Sequence, residues 1–202
     1  MPNQSPVTFS DRMRVLFKGV LDAIGGFLNS RGVSPNTMTL IGVTGNAVAA
    51  VLLGYGRIVA GGLVFLAMGV FDALDGTMAR LRNNPTAWGG FLDSVSDRYS
   101  ELMVYGGLLV YYALHNNFWG VAFAYGAASG SVLVSYARAR AASLGAEVKI
   151  GLFTRLERFL VLSIALVLNY PIVGMGIIAV GAHFTALQRV FFTHKVLKSQ
   201  NR

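Results

Sequence analysis

Asp72 and Asp75 stand three residues apart, and Asp93 and Asp97 stand four apart. On helices those spacings put each pair on one face. All four carboxylates, out of nine acidic residues in the chain, fall within otherwise apolar stretches. An ionised side chain at membrane depth costs about 3 kcal/mol or more unless it is paired or faces water, so it marks function. If the two stretches form an antiparallel hairpin, both pairs sit near the same end and converge. Four hard oxygen donors make a site for Mg²⁺, Mn²⁺ or Ca²⁺, and no nearby His or Cys favours zinc. Gly76 and Gly89 flank the carboxylates and leave room for a ligand's phosphates to approach the helix. Arg80 lies about a turn beyond Asp75, and the whole set suits a metal-bound diphosphate. Intramembrane ion pairs (Asp72 or Asp75 with Arg80, Asp93 or Asp97 with Arg98) and a transporter's proton relay are the alternatives. Four carboxylates at these spacings, with two glycines, weigh against both.

Such a site needs a membrane scaffold, and the composition supplies one. Of 202 residues, 54% are hydrophobic and 13% charged, against about 25% charged in an ordinary soluble domain; mean hydropathy is +0.55. At roughly 20 apolar residues per span, the chain holds several membrane helices and no large soluble domain. The 24 glycines suit close helix packing in lipid, and the absence of Cys removes disulfides and thiol chemistry. A net charge of +8 with no soluble basic domain to carry it points to anionic membrane lipids and an anionic substrate, not nucleic acid.

Apolar residues recur at three- and four-residue steps from Phe9 to Phe27, with Arg12, Arg14, Lys18 and Asp22 between them. That pattern predicts an amphipathic interfacial helix over 8–31, and its charges leave no compact apolar core of the kind a cleaved signal peptide needs. Ser34 and Pro35 then supply a cap and a first-turn proline for a first span, Met38 to Val59. Further spans are predicted over about 61–80, 89–114, 118–138, 152–169 and 172–192. The fold class is therefore all-α: a polytopic membrane protein, one domain over 1–202, with a six-helix bundle over 33–194. Arg31, Arg80, Arg82, Arg138, Arg140, Lys149, Arg155, Arg158, Lys195 and Lys198 gather on one side, and the opposite turns carry little beyond Arg57. By the positive-inside rule both termini and the carboxylates face the cytoplasm, which places the chain in the cytoplasmic membrane.

The run Asp72, Asp75, Gly76, Ala79, Arg80, Gly89, Asp93, Asp97 resembles the signature of the CDP-alcohol phosphatidyltransferases at every fixed position, and the six-span layout looks like that family too. The resemblance implies transfer of a phosphatidyl-type group from a CDP-linked lipid to an alcohol, with release of CMP and a need for Mg²⁺ or Mn²⁺. It implies two ions held by Asp72, Asp75 and Asp93, and Asp97 as the acceptor of the alcohol's proton, with a further role as metal ligand open. Gly76, Ala79 and Arg80 become contacts of the CDP moiety. Asn36 and Thr39 lead into the first span as the family's nucleotide segment does, although a plain helix start explains them as well. The family also implies a homodimer.

Ser135, Tyr136, Arg138, Ala139, Arg140, then Arg155, Glu157, Arg158, then Gln188 and Arg189 look similar to the branch whose acceptor is inositol 1-phosphate. In that branch a basic trio, here Arg138, Arg158 and Arg189, holds the acceptor's phosphate; arginine forks suit that task. Arg138 stands where Lys is common, and Thr154 and Leu156 replace the usual Glu and Pro around Arg155. Glycerol 3-phosphate would want the same pocket and stays open as the acceptor. Gly126 and Gly130 form a small-residue pair suited to packing within the bundle or to a dimer contact. A cation or proton transporter is the rival from another class, disfavoured because the carboxylates cluster at one edge instead of lining a midplane path.

Overall fold

The computed structural model describes residues 9–82, 86–148 and 150–200, with side chains from residue 16 onward. The expected helix start at residue 8, the side chains of Arg12 and Arg14, and Lys149 lie outside the described residues. Within them the chain forms α1 (Phe9–Ser30), α2 (Pro35–Gly54), α3 (Ile58–Leu81), α4 (Ala87–Leu114), α5 (Phe118–Ser143), α6 (Arg155–Val167) and α7 (Pro171–Gln200), and no strand.

The helix starts follow local chemistry. Ser34 accepts from the Thr37 amide with Pro35 in the first turn of α2; Thr86 caps α4 through the Gly89 amide at 3.0 Å; Asn117 caps α5 through the Gly120 amide at 2.9 Å. The predicted first span, Met38 to Val59, needs correction: α2 ends at Gly54 and α3 already begins at Ile58. Gly56 adopts a φ of +76° there and reverses the chain. Asn116 and Asn169 do the same between α4 and α5 and between α6 and α7, with φ of 52° and 62°. The predicted stretch over 152–169 contracts to the 13 residues of α6, about 20 Å of helix against a hydrocarbon thickness of about 30 Å. The predicted end of the bundle at 194 is passed by α7, which runs on to Gln200.

α2, α3, α5 and α7 are long and apolar enough to cross a bilayer. α4 has the length, 28 residues, but carries Asp93, Asp97, Arg98 and Glu101 within its first fifteen residues. α2 packs against both α3 and α4, α5 against α4 and α7, and α6 against α3 and α7. Ala49, Leu53, Phe65, Val104, Leu108, Leu162, Leu166 and Ile178 fill the centre. A Cβ added to Gly107 would stand 2.2 Å from the Ala50 carbonyl oxygen, so this glycine lets α4 touch the backbone of α2. Gly126 and Gly130 face Ala179 and Ala182 of α7, which makes that small-residue pair an internal contact. Large apolar side chains also face outward, with Leu40, Val51, Leu63, Val173 and Val180 all more than half exposed, a surface suited to hydrocarbon. α1 docks on the end of α3: Asn29 donates to the Met78 carbonyl at 3.1 Å, and Arg82 donates to Asn29 at 2.7 Å.

Candidate active site

α3 presents Asp72 and Asp75, and α4 presents Asp93 and Asp97, as their spacings require. The two helices rest mainly on α2 between them, and their carboxylates reach across the remaining gap. One oxygen each from Asp72, Asp75 and Asp93 lies within 4.8 Å of the others. Asp75 is buried, at 5% exposure, and accepts a hydrogen bond from Thr39 Oγ1 at 2.7 Å. Thr39, expected near the nucleotide, therefore holds a carboxylate of the cluster in place from α2.

Asp97 lies one turn along α4, almost fully buried. Its Oδ1 is 2.5 Å from Arg155 Nη2, and the same nitrogen is 2.5 Å from Asp72 Oδ1. Arg98 Nη1 approaches Asp97 at 3.6 Å. Of the ion pairs weighed from sequence, only Asp97 with Arg98 forms among the described residues. Arg80 turns away and donates to Thr77 Oγ1 at 2.8 Å, leaving the counter-charge to Arg155 from α6. The donors the cluster offers a metal are carboxylate oxygens, with neither Cys in the chain nor His in the group. That donor set fits Mg²⁺ or Mn²⁺ and not a soft metal.

Gly76 sits beside Asp75 with only the Arg80 guanidinium near its missing Cβ, at 3.5 Å, and Ala79 follows on the same helix. Asn36 Oδ1 lies 3.8 Å from the place a Gly89 Cβ would take. Asn36 and Arg80 are exposed, and Gly76 and Ala79 half-buried.

Asp72 and Asp97 line one open cavity together with Arg155, Glu101, Arg158 and Tyr105. Arg158 is 1% exposed. It donates from Nε and Nη2 to the two oxygens of Glu101, at 2.8 and 3.2 Å, and from Nη1 to the Phe153 carbonyl at 3.0 Å. Three of its five N–H groups have partners among the described residues. Arg189 is equally buried and donates to the carbonyls of Ile150 and Val134 at 2.9 and 2.7 Å. Arg138 is exposed, and its charge and that of Arg158 both act on Arg189. Sequence reasoning missed Glu101. It stands four residues after Asp97 and eight after Asp93, so the same i, i+4 count that paired the aspartates also places it on their face.

A family model described as CDP-alcohol phosphatidyltransferase matches residues 32–188. The phosphatidylinositol phosphate synthase of Streptomyces avermitilis is 36% identical over 88% of this chain and 79% of its own. The archaetidylinositol phosphate synthase of Pyrococcus horikoshii is 34% identical over 93% of this chain and 97% of its own. The crystal structure of the Mycobacterium tuberculosis phosphatidylinositol phosphate synthase with CDP-DAG bound superposes with a TM-score of 0.79 at 30% identity, covering 86% of this chain and 93% of that one. A second structure of that enzyme holds manganese and citrate.

Proposed function

The chain belongs to the CDP-alcohol phosphatidyltransferase family, whose members are metal-dependent transferases, and from that membership we propose the division of labour in its site. It moves a phosphatidyl-type group from a CDP-linked lipid to inositol 1-phosphate and releases CMP. The observation that carries this reading is the three-carboxylate cluster, whose member Asp72 lines a cavity together with Asp97 and the buried Arg158.

Asp72, Asp75 and Asp93 would hold two Mg²⁺ or Mn²⁺ ions, with Thr39 fixing Asp75. Bound there, the ions neutralise the diphosphate and the charge that builds on departing CMP. Asn36, Gly76, Ala79 and Arg80 receive the CDP moiety. Arg158, which lines the cavity, grips the acceptor's phosphate through charge-assisted hydrogen bonds together with Arg189 and Arg138, which stand outside its lining. Asp97 takes the proton of the acceptor hydroxyl. That oxygen then bonds to the lipid-bearing phosphorus as the bond to the CMP oxygen breaks. With purified protein, CMP should appear only when CDP-lipid, a divalent ion and a phosphorylated acceptor are all present. Ion flux through liposomes without nucleotide would support a transporter instead.

We also propose that α2 to α7 form six spans within one domain, 1–202. In this reading α4 and α6 cross despite their charges and shortness, because the deeper charges, Glu101 and Arg158, pair with each other inside the bundle, and α1 lies in the interface with Leu16, Phe17 and Val20 outward. An even count with the Lys and Arg bias puts both termini and the site on the cytoplasmic face of the cytoplasmic membrane. Protease added from that face should remove tags at both ends; protection of one end alone would impose an odd count. Membrane cross-linking should trap a homodimer, and monomer alone would remove that part of the reading.

A further inference from the structure

A single nitrogen, Arg155 Nη2, bridges Asp72 Oδ1 on α3 and Asp97 Oδ1 on α4 at 2.5 Å each. One positive group thus stands between oxygens of two carboxylates, where an ion shared by Asp72 and Asp97 would also stand. Asp72 belongs at the same time to the three-carboxylate cluster. The Arg155 side chain is 46% exposed, so it can leave without repacking the core. It projects from the first residue of α6, and among the described residues it is the link between that helix and the carboxylates.

Resting on the metal-site reading above, we propose that Arg155 is a tethered counter-ion: it occupies a cation position of the ion-free site and competes with the divalent ion for Asp72 and Asp97. Loading the weaker-binding ion must break this bridge, so Arg155 sets that ion's affinity. It is a positioning residue, keeping the carboxylate hairpin from repelling itself open before the ions arrive. A residue that merely braced the hairpin for the metal would act with the opposite sign, since its loss would weaken ion binding.

Mn²⁺ titration of the full-length protein in detergent, with free ion counted by electron paramagnetic resonance, separates the two. Arg155→Gln should tighten the weaker Mn²⁺ site by about tenfold, the equivalent of one charge-assisted hydrogen bond no longer to be broken. Arg155→Lys keeps the charge on a single, shorter point donor that cannot serve both carboxylates equally. It should tighten the site by about threefold, and it carries the test alone if the Gln variant does not fold. Unchanged or weakened Mn²⁺ binding in the folded variants overturns the proposal. If the unsubstituted protein binds no Mn²⁺ at all, the metal-site reading fails; if it binds and the variants match it, only the role of Arg155 fails.

Discussion

Replacing Asp75 or Asp93 with Asn lowers metal-dependent CMP release by about 10²- to 10³-fold, the loss typical of removing one fixed charge-stabilising group from a reaction centre. Asn keeps the size of Asp, and at position 75 its amide oxygen can still accept the hydrogen bond from Thr39. The packing of α3 and α4 on α2 therefore stays intact and the protein still inserts. What disappears is a negative charge from a cluster of three oxygens within 4.8 Å. The loss should persist at saturating Mg²⁺, because the defect lies in charge neutralisation and not in occupancy alone. Near-normal turnover of either variant would remove Asp72, Asp75 and Asp93 as the metal ligands.

Arg158→Gln and Arg189→Gln raise the KM for inositol 1-phosphate by about 10- to 150-fold, the worth of one charge-assisted hydrogen bond at roughly 1.5 to 3 kcal/mol. The KM for CDP-lipid and the metal requirement stay near those of the unsubstituted protein. The structure separates the two arginines. Arg158 forks onto Glu101, so its removal strands a largely buried carboxylate and also destabilises the fold. Arg158→Gln combined with Glu101→Gln relieves that charge and should restore thermal stability without restoring the acceptor KM. Arg189→Gln leaves only the Ile150 and Val134 carbonyls short of a donor and reports acceptor binding more cleanly. An unchanged acceptor KM in Arg189→Gln and in the double variant would return these arginines to the role of membrane-face anchors.

The convergence of the carboxylates could be read from the sequence because charge in an apolar helix stands out and i, i+3 and i, i+4 spacing fixes a face; that α3 and α4 would meet across α2 and not as a directly packed hairpin could not. Caps were equally legible at Ser34 and Pro35. Turns set by positive φ were not. Nothing in the run from Leu53 to Val59 announces that Gly56, and not a later residue, reverses the chain, because a membrane span tolerates glycine anywhere. Long-range partners were hidden for a different reason. Arg155 lies 83 residues from Asp72, and only the docking of α6 on α3 decides that it, and not the local Arg80, supplies the counter-charge. Thr39 likewise reads as a helix start until α2 and α3 are packed together. Glu101 was within reach of the spacing argument.

The central claim is transfer to an alcohol that already carries a phosphate, and acceptor discrimination by the purified protein addresses it most directly. CMP release is followed with CDP-lipid and Mg²⁺ while inositol 1-phosphate, glycerol 3-phosphate, free inositol and serine are compared as kcat/KM. The buried arginines predict that inositol 1-phosphate exceeds free inositol by at least about 100-fold, because a site built around a phosphate leaves its donors unpaired when that group is missing. Preference for glycerol 3-phosphate would keep the basic pocket and replace the inositol assignment. Equal or better turnover of free inositol or serine would contradict the account.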